Sequence, residues 1–245
     1  MKNNWDFLKK FTHARIALGR VGNAVPTQEL LKFRLAHSIA RDSVWNELDE
    51  KQIATQAILI QSQCSSKKEF LVNPDKGRKL SPQSKKELKN WINQEQSPDC
   101  VLVLADGLSA RALHENANAF LKEFVQDIKQ SGLSLGPLVI ARYARVALGD
   151  EVAEVLRARS VIMLIGERPG LASADSLSVY FTYEPKLGRK DSERNCISNI
   201  HQRGFSPESG AKMASYLVNL SLKMKLSGVA LKVEYPTEYQ RILPR

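Results

Sequence analysis

Residues 100–132 read CVLVLADGLSARALHENANAFLKEFVQDIKQSG. The unbroken apolar run Val101–Ala105 is of strand length, and the residues after it, 106–109, supply a glycine and a serine suited to capping a helix. From there the apolar positions recur at helical spacing until Gly132, so the stretch predicts a buried strand, a tight loop and a helix. The unit recurs downstream. LVIARYARVAL predicts a strand near residues 138–143 with a short helix over 150–158, and SVIMLIGERPG carries the most hydrophobic strand of the set, over 161–165. A further strand at Leu177–Tyr183 and a helix near 207–226 complete the series. Strands alternating with helices predict parallel pairing in a sheet covered on both faces.

Upstream the pattern changes. Residues 1–26 place Trp5, Leu8 and Phe11 on a short helical face before Gly19, Gly22 and Pro26, and read as an arm. From Thr27 the sequence has Glu29 in the first turn and Leu31, Leu35 and Ile39 four residues apart, which predicts a helix. Ile53, Ala57 and Ile60 predict a second helix over 50–62. The expected fold class is therefore α/β: an N-terminal helical region over 1–75, a basic linker over 76–97, and a Rossmann-like domain over 98–245 with a mostly parallel sheet flanked by helices.

Composition excludes several classes. With 43% hydrophobic and 25% charged residues among 245, the chain is neither disordered nor fibrous. No apolar run reaches the roughly 18 residues of a membrane helix, and residues 1–11 lack a secretory core, so no membrane partner and a cytoplasmic location are expected. Cys64, Cys100 and Cys196 are too scattered for a disulfide framework or a metal cage. The net charge of +10 is densest between Lys67 and Lys89, but that segment lacks the interleaved aromatics of a base-stacking platform. A solvated face is expected there ahead of a protein-docking surface, and no nucleic-acid partner.

In sheets of this kind ligands sit beyond the carboxyl ends of the strands. That puts DGLSA, ARVALGD, GERPGL and the segment up to CISNI on one rim. DGLS lacks the glycine spacing of a dinucleotide or P-loop site, so it reads either as a tight turn capped by Ser109 or as a ligand contact through its backbone or Asp106. Glu167 and Arg168 end the most apolar strand, where charge needs a partner. They can pair locally, or anchor a ligand rich in amides and phosphate, the carboxylate accepting N–H groups and the guanidinium forking a phosphate. Cys196 lies in a loop dense in hydrogen-bonding groups, beside His201 only, which favours a packing or ligand-contact role over nucleophilic catalysis. A site so poor in reactive groups implies that a cofactor or another subunit does the reaction. A free-standing nucleotide-binding enzyme, using Asp106, Glu167 and Cys196, is the alternative.

Six blocks carry a resemblance: ARIALGRVGNAVPTQELLKFRLAHSIARDSVW from Ala14, NPDKGRKLS from Asn73, VLVLADGLSARAL from Val101, ARYARVALGD from Ala141, LIGERPGLASADSLSVYFTY from Leu164 and RNCISNIHQRG from Arg194. Together they resemble the small subunits of ethanolamine ammonia-lyases over nearly the whole chain. The resemblance implies a hetero-oligomer with a large subunit whose barrel binds ethanolamine, converted to acetaldehyde and ammonia, and carries the catalytic groups. It implies adenosylcobalamin as cofactor, held between the subunits, with no catalytic residue on this chain. Family contacts to cobalamin fall on Val146, Glu167 and Cys196. The family also implies ethanolamine catabolism, in some relatives inside a bacterial microcompartment, with any targeting extension reduced here to residues 1–11.

Overall fold

A computed structural model describes residues 5–12, 14–53, 56–92 and 97–234. In chain order the elements are α1 (Thr27–Trp45), β1 (Ile58–Gln61), α2 (Lys67–Val72), α3 (Pro82–Lys89), β2 (Val101–Ala105), α4 (Ala110–Gln130), β3 (Val139–Arg142), α5 (Leu148–Val155), β4 (Ser160–Gly166), β5 (Leu177–Tyr183), β6 (Arg194–Ile200) and α6 (Pro207–Met224). A 3-10 turn at Asp6–Lys10 precedes them. The six strands form one sheet in the order β1-β3-β2-β4-β5-β6. β1, β3, β2 and β4 run parallel, whereas β5 pairs antiparallel with both β4 and β6. The sheet is mixed, with its two antiparallel pairings, both made by β5, toward one edge.

The two faces of each strand sort into two cores, as a period of two requires. Leu102, Leu104, Ile162, Leu164, Val179 and Phe181 pack on one side with α4 and α6. Val101, Val103, Ala105, Val161, Met163 and Ile165 pack on the other with Leu88 of α3 and Leu148, Val152 and Ala153 of α5. β2 and β4 are buried along their whole length, which explains their unbroken apolar runs. α4 seats the stacked rings of Phe120 and Phe124, 5.6 Å between centroids, and each buried ring contributes about 1.5–3 kcal/mol of transfer free energy.

Three expectations are corrected. Residues 50–62 are not a helix: after a 3-10 turn at Glu50–Gln52 the chain enters β1, which adds a strand to the sheet beside β3. Ile58 and Ile60 of its ILIQ face the core and Leu59 faces out, a period of two that four residues are too few to advertise. NCISNI is not a loop but the edge strand β6. The basic stretch is not uniformly solvated: Lys67 is 3% exposed, and 76–97 contains α3, capped by Ser81 accepting from the Ser84 amide. Conversely, α1 forms where its spacing predicts, yet Leu31 and Leu35 are 58% and 63% exposed and only Ala40 and Ser43 of the helix are buried.

Candidate functional site

The strand ends and loops expected on the rim meet closely because two glycines allow it. Gly107, at φ +50°, leaves space that a Cβ would lose to the Gly166 carbonyl at 2.3 Å. A Cβ on Gly166 would meet the carbonyls of Ser109 and Asp106 at 2.1 and 2.6 Å. The Leu108 amide donates to the Gly166 oxygen at 3.0 Å, clasping the loop after β2 to the end of β4. Ser109 is the N-cap of α4, and its hydroxyl also donates to the Ala174 carbonyl at 2.9 Å. DGLS is thus a tight capped turn, and Gly107 and Leu108, rather than Asp106, face the neighbouring cleft.

Asp106 is committed inside. Its Oδ1 accepts from the Ala144 amide at 3.2 Å, and its Oδ2 lies 3.8 Å from Lys67 Nζ, which donates to the Gly107 carbonyl at 3.1 Å. Both side chains are almost fully buried. Burial pushes the Asp106 carboxyl up, opposed by the Lys67 charge, and burial pulls the Lys67 ammonium down. The pair fixes the start of the segment that carries Val146.

Beyond the cover of α5, the polar face of β5 and β6 stays open. Ser178 and Tyr180 of β5 and Cys196 and Ser198 of β6, with Val146 and Glu167, line a cleft of about 560 Å³, closed at the back by Gly107, Leu108, Ile165 and Gly166 and flanked by Arg145 and Arg168. Val146, Glu167 and Cys196, expected from three separate segments, therefore share one cavity. Tyr180 and Cys196 are cross-strand partners. Glu167 Oε1 accepts from the Ser178 hydroxyl and, at 3.2 Å, from the Asn199 amide. Its neighbour does not neutralise it: among the described residues Glu167 and Arg168 form no ion pair, and Arg168 is exposed.

The cleft is poor in nucleophilic chemistry. Desolvation and the nearby Glu167 carboxylate raise the Cys196 thiol, which disfavours the reactive thiolate. Burial, with Cys196 and Glu167 beside it, pushes the Tyr180 hydroxyl up to about 12. His201 is engaged with Asn199, its Nε2 3.0 Å from Oδ1. No group of three His, Cys, Asp or Glu among the described residues could hold a metal ion, and no helix there is long and apolar enough to cross a membrane.

Two features of the site escaped the sequence. The first is a strut. Arg194, at the start of β6, makes paired 2.6 Å bonds to both carboxylate oxygens of Asp150 in the first turn of α5. It also donates to Thr182 Oγ1 at 2.9 Å, so the segments bearing Cys196 and Val146 are tied together beneath the cleft. Only the acid–base pairing across 44 positions could have signalled it. The second is Arg145, an arginine isolated among the apolar residues of ARVAL. Its Cζ lies 4.3 Å from the Phe70 ring centroid, and one nitrogen donates to the Phe70 carbonyl at 3.3 Å.

Comparison with known proteins identifies the family. Residues 2–232 match the family described as ethanolamine ammonia-lyase light chain (EutC). The chain is 42% identical over 241 residues to the ethanolamine ammonia-lyase small subunit of Pseudomonas fluorescens (strain Pf0-1), covering 95% of this chain and 88% of that one. It is 42% identical over 241 residues to the small subunit of Xanthomonas campestris pv. campestris (strain ATCC 33913), covering 95% and 89%. The small subunit of Pseudomonas syringae pv. tomato (strain DC3000) is 41% identical over 240 residues, covering 95% and 84%. On a match of this extent, the chain belongs to the ethanolamine ammonia-lyase light-chain family.

Proposed function

We propose that this chain is the small subunit of an ethanolamine ammonia-lyase and that its cleft holds one side of adenosylcobalamin, the other side being covered by a large subunit. The observation that carries the reading is the convergence of Val146, Glu167 and Cys196 on a single cavity although they come from the α5 approach, the β4 end and the edge strand β6. The lining fits the cofactor. Val146, Leu108 and Ile165 offer apolar surface for a macrocycle, Glu167 offers carboxylate oxygens to peripheral carboxamide N–H groups, and the serines offer hydroxyls. At about 560 Å³ the cleft suits a drug-sized ligand. Cobalamin is several times larger, so this wall alone leaves much of it exposed and a second wall is needed.

When bound, the cofactor supplies the radical chemistry by which ethanolamine gives acetaldehyde and ammonia. The residues here bind and orient it and keep water from one of its faces; substrate groups belong to the partner. A surface the partner would cover is the face of α1 carrying Leu31, Leu35, Ile39 and Trp45, whose apolar side chains are exposed at helical spacing. The test is reconstitution: the chain alone is inactive on ethanolamine, and adding it to a large subunit saturated with adenosylcobalamin restores turnover. A large subunit equally active without it refutes the reading.

A further inference from the structure

Arg145 lines both the cleft and a second depression of about 470 Å³ that also contains Arg78, Arg189, Lys190 and the exposed carboxylate of Asp191. Within this group the charges are unevenly satisfied. Arg189 is engaged by Glu193 and by the Glu184 carbonyl at 2.9 and 3.1 Å. Arg78 has one long contact, 3.7 Å, to the exposed Asp75. Among the described residues no carboxylate lies within 4.0 Å of Arg145 or Arg168, and the buried Nε of Arg145 has no hydrogen-bond partner. Burial and the like charges of Arg78 and Arg168 pull the Arg145 guanidinium down, opposed by the more distant Asp106.

This arrangement is built. A Cβ on Gly77 would meet Arg145 Cγ at 2.9 Å and the Phe70 ring at 3.1 Å, so the glycine is what lets the arginine lie across the ring. The Arg145 amide donates to the Gly77 carbonyl at 2.8 Å, locking the backbone of the two segments. Holding a half-buried guanidinium against two like charges with no carboxylate in direct contact costs stability, unless an anion completes the set. A planar fork stacked on an aromatic ring is the group best shaped for two phosphate oxygens. We propose that Arg145, flanked by Arg78 and Arg168, is the anchor for a phosphodiester: the one in the nucleotide tail of the cobalamin lying in the adjoining cleft. The assignment rests on the cobalamin reading and adds to it the position of the tail, where the cleft and the second depression share Arg145, Val146 and Tyr180.

The test uses the assembled complex with the large subunit and reads binding, not turnover. Cobalamin and cobinamide with matched upper ligands, the second lacking the phosphodiester and nucleotide, are titrated in by visible spectroscopy. Arg145→Gln is expected to weaken cobalamin about ten- to a hundredfold, the worth of a charge-assisted pair, and to leave cobinamide within about twofold. Arg78→Gln and Arg168→Gln, at exposed positions, should each weaken cobalamin by up to about fivefold and leave cobinamide unchanged. If Arg145→Gln prevents assembly, Arg145→Lys decides, since it keeps the charge and loses the fork: a selective loss for cobalamin supports the anchor. Equal losses for both ligands, or no loss for either in these variants, overturn it. A wild-type complex that binds neither ligand overturns the cobalamin reading instead.

Discussion

The Asp150–Arg194 strut makes a quantitative prediction about how the cleft is held open. Both side chains are about 2% exposed, and the two 2.6 Å bonds are parallel, so each charge depends on the other for solvation. Asp150→Ala leaves Arg194 buried with only the Thr182 hydroxyl, the Arg189 carbonyl and the distant, exposed Asp191 carboxylate, 3.6 Å from its Nε. Breaking a buried pair on one side costs about 3–5 kcal/mol. For a domain of this size that lowers Tm by roughly 6–20 °C. Arg194→Met in the same background removes the stranded charge, so the double variant should be more stable than Asp150→Ala alone and its loss smaller than the sum of the single losses. Thermal unfolding of the four chains, followed by far-UV circular dichroism under one buffer condition, reads the cycle. A Tm change below about 2 °C for Asp150→Ala, or additive losses, would show that the pair is not the strut described. The single variant should also weaken cobalamin binding by the complex, because Cys196 and Val146 sit two and four residues from the two partners.

Four further outcomes are expected. Ser109→Ala removes an N-cap and the bond to Ala174, and should cost about 1–2 kcal/mol in unfolding free energy, read from urea titration. The Glu69 carboxyl is held down to about 2 by Lys76 and by Ser65. A depressed carboxylate stabilises the fold above its unfolded value and loses that contribution as pH falls, here between about 4.5 and about 2. Carboxyl NMR should find it titrating near the lower value and moving up in Lys76→Ala. In the folded chain iodoacetamide should label Cys196 well before Cys64 or Cys100, which are fully buried, and mass spectrometry of the peptides distinguishes them. Gly166→Ala should unseat the loop after β2, since its Cβ would press on the Ser109 and Asp106 carbonyls, at a cost of about 1–3 kcal/mol or more.

Legibility in the sequence followed burial. β2 and β4 read correctly because both of their faces are covered, leaving an apolar run with no alternative. α4 and α6 carry apolar stripes that meet the sheet, so their period was plain. β6 was hidden by its role: Cys196 and Ser198 line the cleft, Asn195 is tied to Gly228 and Asn199 is exposed, so only Ile197 and Ile200 remained as apolar marks of a strand. A register shift opposite Leu177 to Val179 blurred the alternation further. β1 has helical spacing in its approach, and its pairing with β3, which lies some 80 positions on, decides its form. For α1 the period gave the helix, but Leu31 and Leu35 stay exposed among the described residues. At the site, Val146, Glu167 and Cys196 were placed through the family resemblance, while Arg145 was overlooked because a lone arginine in an apolar run has no local pattern; its meaning comes from Phe70 and Gly77, far away in sequence.

The central claim is that cobalamin occupies the cleft shared by Val146, Glu167 and Cys196. Filling that cleft tests it most directly. Val146 is partly buried in the cleft lining, and Val146→Trp adds a large ring there. The complex with the large subunit, its assembly verified by size-exclusion chromatography, is titrated with cobalamin and followed by the visible spectrum. The account predicts an intact complex whose cobalamin affinity falls by at least about tenfold. An intact complex that binds cobalamin as tightly as the wild type would contradict it.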